Sequence, residues 1–187
     1  PEPPSIDYVK VSGGIFLDMM IHDFDMVRFL SNSEAVEIYT QGAVLVDPEI
    51  GKAGDVDTAI VSMKMEDGSL AVIDNSRQAV YGYDQRAEVF GSKGLVSCDN
   101  EFANSAYIID EGGTHSEVPL HFFLQRYMYA YRAEISSFIK AVEENKPTEV
   151  DVYDGLAPVL MGLAAKKSLA ENRPVTIEEI KKEAMSK

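Results

Sequence analysis

Two runs of alternating apolar and polar residues, separated by a tight turn, constrain the fold of this 187-residue chain most strongly. They cover residues 58–65 and 70–76, and the turn Glu66-Asp67-Gly68-Ser69 between them has Asp-Gly at its centre, which is typical of a β-hairpin. Successive side chains of a strand point to opposite faces. One face of the first run therefore carries Ala59, Val61, Met63 and Met65. The sequence predicts an antiparallel sheet with one apolar face.

The remaining patterns predict further strands, followed by helices. Predicted strands cover residues 6–12, 36–46, 86–90, 95–98, 106–109 and 117–120, and predicted helices cover 15–30, 122–144, 154–171 and 178–186. This order indicates an α+β fold: a largely antiparallel, open-faced sheet with helices on one face. Several strands carry apolar residues on both sides, so we expect the other face to be available for oligomerisation, as a homodimer or homotetramer.

The charge balance and the cysteine count limit the partners and the compartment. The chain has 17 Lys and Arg against 31 Asp and Glu, a net charge of -14, which would repel nucleic acid and an anionic membrane surface. Charges interrupt every apolar stretch before it could span a bilayer. Cys98 is the single cysteine, so no internal disulfide can form and a reducing cytoplasm is the expected location.

The predicted helix 15–30 carries the residues best suited to chemistry. On an ideal helix, with Asp18 at 0°, His22 lies at about 40° and Asp25 at about -20°, so the three share one narrow sector. The rest of the circumference is largely apolar, which predicts a buried helix whose polar sector faces a cavity or paired groups.

An acid one turn before a histidine suits proton transfer. Asp18 could accept from one ring nitrogen of His22 and raise the basicity of the other, which would make His22 a general base. Two alternatives stay open: an ordinary Asp18–His22 surface pair, and a metal site formed by Asp18, His22 and Asp25. No further ligands stand nearby in the sequence, so we expect no metal, and we expect Asp25 to be structural, either as a cap or as the partner of a basic group.

Three segments together resemble one family. Gly13-Gly14-Ile15-Phe16-Leu17-Asp18-Met19-Met20-Ile21-His22-Asp23-Phe24-Asp25 follows the pattern G-G-x-x-x-D-x-x-x-H-x-x-D. Arg77-Gln78-Ala79-Val80-Tyr81-Gly82-Tyr83-Asp84-Gln85 leads to Phe90-Gly91-Ser92-Lys93-Gly94, and a helix follows with Phe123-Leu124-Gln125-Arg126-Tyr127. The chain resembles the glucose-fructose oxidoreductase/inositol dehydrogenase (Gfo/Idh/MocA) family, and within it the inositol 2-dehydrogenase branch.

The resemblance implies a domain organisation. Members of the family carry an N-terminal Rossmann domain with a glycine fingerprint and a Glu-Lys-Pro motif, and neither occurs in this sequence. Residues 1–187 are therefore expected to be the C-terminal substrate-binding and oligomerisation domain, with the proline-rich residues 1–5 as the remnant of a linker. NAD would be bound mainly by the missing domain, and this chain alone would be inactive.

The resemblance also implies an activity and roles for single residues. The whole enzyme would oxidise a ring hydroxyl of a polyol or sugar, foremost myo-inositol, with NAD. His22 would remove the hydroxyl proton, Asp18 would orient His22 and contact a neighbouring hydroxyl, and Tyr83 would hydrogen-bond the polyol. The period of two along a strand independently predicts that Tyr81 and Tyr83 share one strand face, where sheet packing alone is the alternative role of the pair. The rival functions are a non-catalytic oligomerisation module and a metal-dependent enzyme centred on Asp18, His22 and Asp25.

Overall fold

The computed structural model describes residues 2–186, which divide into two compact units. Residues 3–77 and 150–186 form the first, called here the sheet unit, and residues 78–149 belong to the second, called here the hairpin unit. The elements in chain order are α1 Ile6–Ser12, α2 Ile15–Asp18, α3 Ile21–Ser31, β1 Ala35–Ala43, α4 Pro48–Lys52, β2 Thr58–Met65, β3 Leu70–Ser76, β4 Ala87–Gly91, β5 Gly94–Cys98, β6 Tyr107–Asp110, β7 Gly113–Ser116, α5 Phe123–Arg126, α6 Met128–Glu143, α7 Val152–Glu171, β8 Val175–Thr176 and α8 Ile177–Met185.

The sheet unit is built on a four-stranded antiparallel sheet in the order β3-β2-β1-β8. The predicted hairpin is confirmed: β2 pairs with β3 from Thr58 opposite Ser76 to Lys64 opposite Leu70. Burial alternates along β2 as the sequence predicts, with Ala59, Val61, Met63 and Met65 inside. This face packs against the apolar side chains of the helices, including Phe16, Met20, Phe24, Met161, Ala164 and Ala165. The predicted α+β class, with helices on one face, is confirmed.

Helix α7 is the main cover of the sheet and is fixed at both of its ends. Asp151 forms a capping box with Asp154 at its start, and Asn172 adopts the left-handed conformation at its end. Within the helix, the buried Ser168 hydroxyl accepts the Thr40 backbone N–H at 3.0 Å, which connects α7 to β1.

The outer face of the sheet is exposed and partly apolar. Ile60, Leu70 and Val72 leave about half or more of their area in solvent, and Val72 is 68% exposed. Ser62 and Lys64 lie on the same face of β2 as Ile60, and both are exposed. The predicted association of subunits through this face remains a prediction.

The hairpin unit contains two separate hairpins and two helices. β4 pairs with β5, and β6 pairs with β7, each as its own two-stranded antiparallel sheet. The pairing predicted between residues 106–109 and 117–120 is wrong in its second strand, which is Gly113–Ser116. Asp110 accepts the Gly112 backbone N–H at 2.7 Å, and this local bond closes a tighter turn than the one expected.

The predicted strand at residues 6–12 is wrong, because this segment is helix α1. The Ser5 hydroxyl accepts the Tyr8 N–H at the start of α1, and Gly13, at φ +92°, ends it in the left-handed conformation. Val9 is the buried residue of α1, so the alternating apolar side chains of this segment do not form the buried face of a strand. Local capping therefore outweighs a short alternating pattern.

Two helices expected to be continuous are interrupted. The segment 122–144 contains α5 and α6, which meet at Tyr127, where the backbone leaves helical geometry and the ring packs edge-on against Tyr83 at 5.8 Å between ring centroids. The segment 15–30 is divided into α2 and α3 at Met19 and Met20. The short elements α4 and β8 were not predicted, although Asp47 before Pro48 is a helix-start signal.

Candidate functional site

Asp18 is the last residue of α2, a helix of a single turn that follows two glycines. Gly14 has φ +85°, and a Cβ at this position would lie 2.7 Å from Oδ1 of Asp55. The same Asp55 carboxylate accepts the Ile15 backbone N–H at 3.0 and 3.2 Å. Gly14 therefore lets Asp55 approach the start of α2 closely enough to cap it.

Both oxygens of the Asp18 carboxylate are held by other side chains. Tyr8 donates its hydroxyl to Oδ1 at 2.5 Å, and Arg77 donates Nη1–H to Oδ2 at 2.9 Å. The hydrogen bond to Asp18 is the main cause that raises the pKa of Tyr8 above its usual value, so the phenol stays protonated and remains a donor at neutral pH.

Arg77 lies between two carboxylates in the interior of the sheet unit. Its side chain is 2% exposed, and its second terminal nitrogen, Nη2, lies 3.2 Å from Oδ2 of Asp55. The backbone N–H of Arg77 is also bound, to the Asp57 carbonyl at 2.8 Å. A buried guanidinium needs such partners, because an unpaired buried charge costs several kcal/mol. The hydrogen bonds and ion pairs among Tyr8, Asp18, Asp55 and Arg77 therefore stabilise one another's partners in this cluster.

His22 lies near the start of α3 and is exposed. The turn before it is widened, because the Met20 N–H bonds to the Ile15 carbonyl, five residues back. Such a turn shifts the residues after it by roughly one position, about 100°, relative to a continuous helix. The continuous helix that the predicted narrow sector assumed is therefore wrong. Among residues 2–186 the structure shows no hydrogen bond to the imidazole of His22.

Helix α3 is less buried in this chain than its composition predicted. Phe24 is its buried residue, whereas Met26 and Phe29 are exposed, Phe29 by 77%. The sheet unit therefore covers α3 around Phe24 and, in part, Val27, while the His22 side chain is exposed to solvent.

Asp25 pairs with a basic group, as predicted. Arg28 Nη1 lies 2.8 Å from Asp25, and the same guanidinium reaches Glu34 at 2.8 Å and Asp154 at 3.4 Å. The hydrogen bond from Arg28 lowers the pKa of Glu34. Within the described residues, 2–186, no group of three or more His, Cys, Asp or Glu side chains could hold a metal ion.

Tyr83 lies in the hairpin unit, outside any regular strand. Gly82 before it has φ +136°, and a Cβ there would be 2.6 Å from the Pro119 carbonyl oxygen. The Tyr83 N–H donates to the Leu120 carbonyl at 2.8 Å. The expectation that Tyr81 and Tyr83 share a strand face is wrong, because the glycine conformation turns the chain between them. Tyr83 itself is half-buried and packs on the Tyr127 ring.

Asp84, next to Tyr83, organises the loop. Its carboxylate accepts from Arg86 at 2.7 Å, from Asn100 at 2.8 Å and from the Tyr81 hydroxyl. The bond from Arg86, against the opposing effect of burial, lowers the pKa of Asp84 to about 2. Asp84 is therefore an ionised structural residue of this loop.

The structure thus groups Asp18 with three residues that the sequence did not single out. Arg77 begins the segment that carries the family resemblance, so its position was a signal in the sequence. Tyr8 carried no usable signal, because residues 6–12 read as a strand. Asp55 lies in a loop between two predicted elements and 40 residues from Ile15, which it caps.

Comparison with known proteins connects the whole chain to one group. The family model of the GFO/IDH/MocA C-terminal domain matches residues 1–97. The myo-inositol 2-dehydrogenase of Thermotoga maritima is 54% identical over 180 residues, which are 96% of this chain and 54% of that protein. The chain therefore spans about half the length of such curated relatives.

Solved structures give the same fold. A myo-inositol dehydrogenase from Corynebacterium glutamicum superimposes with a TM-score of 0.90 at 37% identity, covering 94% of this chain and 53% of that one. A scyllo-inositol dehydrogenase from Lactobacillus casei, solved with bound NAD(H) and scyllo-inositol, gives a TM-score of 0.83 at 28% identity, covering 89% of this chain and 49% of that one.

Across residues 2–186, none of the helices has both the length and the apolar character needed to cross a membrane.

Proposed function

Since this chain belongs to the GFO/IDH/MocA family, we propose that it is the C-terminal, substrate-binding domain of an NAD-dependent inositol 2-dehydrogenase. The observation that carries the proposal is the 54% identity to a myo-inositol 2-dehydrogenase across 96% of the chain. The exposed His22, close in sequence to an anchored carboxylate on α2, supports it, because oxidation of an alcohol needs a base for the hydroxyl proton.

Each proposed site residue has a role that its surroundings permit. His22 is exposed and its imidazole is available to accept the proton of a ring hydroxyl. Asp18 uses one acceptor position on each oxygen for Tyr8 and Arg77, which leaves further lone pairs for a neighbouring hydroxyl of the substrate. Tyr83 is proposed as a further hydrogen-bond partner of the polyol on the strength of the family resemblance alone.

Within residues 2–186, the helix start that follows the two glycines is unsuited to the phosphates of a dinucleotide. The N–H at the start of α2, after the two glycines, is already bound by the Asp55 carboxylate, and that negative charge would repel a phosphate. Bound NAD supplies the acceptor for the hydride that leaves the carbon. We infer that NAD is held mainly by a domain outside this chain, in agreement with the length of the relatives.

The surroundings of the domain follow from its surface. The exposed apolar residues Ile60, Leu70 and Val72 on the outer face of the sheet support assembly into a homodimer or homotetramer through that face. The single, free Cys98 supports a cytoplasmic location.

Kinetics of the whole enzyme test this proposal. We expect His22→Ala to lower kcat for myo-inositol by about 10²–10⁴-fold, because a general base contributes that much, and to leave the KM for NAD unchanged. His115→Ala is the matched control, since His115 is also an exposed histidine but pairs only with Asp110 in a hairpin of the other unit. NADH formation followed by absorbance is the measurement.

The outcomes separate the candidate functions. If the wild-type enzyme forms no NADH from inositols, the chain is better described as a non-catalytic oligomerisation module. If His22→Ala turns over myo-inositol as fast as His115→Ala, the dehydrogenase stands and the assignment of the base is wrong.

A further inference from the structure

Helix α2 is only one turn long, and a single buried side chain holds both of its ends. Arg77 Nη1 binds Asp18 at the last residue of α2, at 2.9 Å. Arg77 Nη2 binds Asp55 at 3.2 Å, and Asp55 in turn accepts the N–H of Ile15, the first residue of α2. A helix this short has almost no stability of its own, so its geometry depends on these contacts.

The contacts fix the Asp18 carboxylate in a defined orientation. Arg77 holds Oδ2 and the Tyr8 hydroxyl holds Oδ1, so rotation of the carboxylate would break a charge-assisted bond from a side chain that is 2% exposed. The Arg77 guanidinium is restrained on its other side, because its Nη2 binds Asp55, and the Arg77 backbone is itself fixed by its N–H bond to the Asp57 carbonyl.

We propose that Arg77 is a positioning residue of the polyol site, which acts by presenting Asp18 to a ring hydroxyl in one orientation, with Tyr8 as the second contact. This inference rests on the proposed function and adds the residue that orients the Asp18 carboxylate for substrate binding. Arg77 is itself buried and does not contact the substrate. A preorganised acceptor binds a hydroxyl more tightly because no reorientation has to precede binding.

Two substitutions of Arg77 test the proposal in the whole enzyme. Arg77→Met removes both ion pairs with little change in volume, and we expect the KM for myo-inositol to rise about tenfold or more, as loss of a charge-assisted hydrogen bond predicts. The KM for NAD should stay within twofold of the wild type. Arg77→Lys keeps the charge but cannot bind two carboxylates with one planar group. Its KM for myo-inositol should therefore lie between that of the wild type and that of Arg77→Met.

Arg28→Met is the matched control for the loss of an arginine that binds several carboxylates, with a side chain that is 12% exposed. Arg28 binds three carboxylates of the sheet unit, and Asp18 is not among them. We expect Arg28→Met to lower the melting temperature and to leave the KM for myo-inositol within twofold of the wild type. Tyr8→Phe, at an exposed position, removes only the hydroxyl donor and should raise the KM for myo-inositol by a few-fold.

The result that supports the proposal is a rise in the KM for myo-inositol that follows the order Met above Lys above wild type, without a rise for Arg28→Met. If Arg77→Met does not fold, the Lys variant alone decides, and a wild-type KM in that variant overturns the proposal. Equal KM values in all variants, with a slow His22→Ala enzyme, overturn the role of Arg77 while the proposed function stands. Absence of polyol oxidation by the wild type overturns both.

Discussion

The packing of α2 against α7 predicts opposite effects for one substitution at two glycines of the same helix. At Gly162, an added Cβ would lie 2.9 Å from the Phe16 carbonyl oxygen and 2.7 Å from Leu17 Cδ2. Leu17 can move, but the carbonyl belongs to the backbone of α2. At Gly155, an added Cβ meets no atom within 4 Å. Replacing either glycine by alanine removes the same backbone flexibility from the unfolded chain.

The change in the free energy of unfolding depends on two effects: the lower flexibility of the unfolded chain, and the steric contact of the added Cβ in the folded chain. Gly→Ala in a helix gains about 0.5–1 kcal/mol, and this is the whole effect expected at Gly155. At Gly162, forcing α2 away from α7 costs about 1–3 kcal/mol, which exceeds the gain. We therefore expect Gly155→Ala to stabilise the chain by about 0.5–1 kcal/mol, and Gly162→Ala to destabilise it by about 1–2 kcal/mol.

Urea unfolding followed by circular dichroism measures both free energies on the same chain. Equal stability of Gly162→Ala and Gly155→Ala would show that the backbone of α2 does not lie against α7 at Gly162. A lower stability of Gly155→Ala than of Gly162→Ala would contradict the open space at Gly155.

Two further predictions concern carboxylates that support the fold. Asp57→Asn should lower the free energy of unfolding by about 2–3 kcal/mol in urea titrations, because the buried carboxylate accepts the N–H groups of Leu45, Val46 and Asp47, and an amide nitrogen would face donors; Asp7→Asn, at an exposed position, should change it little. Arg86 holds the pKa of Asp84 at about 2, below its ordinary 3.8, so this carboxylate stabilises the fold fully above about pH 4 and loses that effect as the pH falls towards 2. Asp84→Asn should therefore remove about 2 kcal/mol of the pH dependence of unfolding between pH 4 and pH 2, and an unchanged slope would contradict the assignment.

The sequence predicted the sheet better than the helices that carry the site. The alternation in residues 58–76 specifies pairing and burial together, because a shift by one residue would move Val61 and Met63 to the solvent face. Ile6–Ser12 alternates as well, but in the described part of the chain no strand pairs with this segment. The Ser5 cap and Gly13 then decide in favour of a helix.

The candidate site was predicted in part. Asp18 and His22 were singled out from their spacing, and Asp25 was expected to pair with a base, as it does with Arg28. The partners of Asp18 could not be predicted from spacing, because Tyr8, Asp55 and Arg77 come from three separate segments that tertiary folding brings together. The widened turn at Met20 could not be predicted from the sequence either, since it depends on one backbone hydrogen bond.

A crystal structure of the whole enzyme with NAD and myo-inositol would show which residues of this domain hold the polyol. We expect a ring hydroxyl within hydrogen-bond distance of His22 Nδ1 or Nε2, and a neighbouring hydroxyl bound to the Asp18 carboxylate, with Arg77 still between Asp18 and Asp55. A polyol bound elsewhere, with His22 and Asp18 both out of contact, would contradict the account.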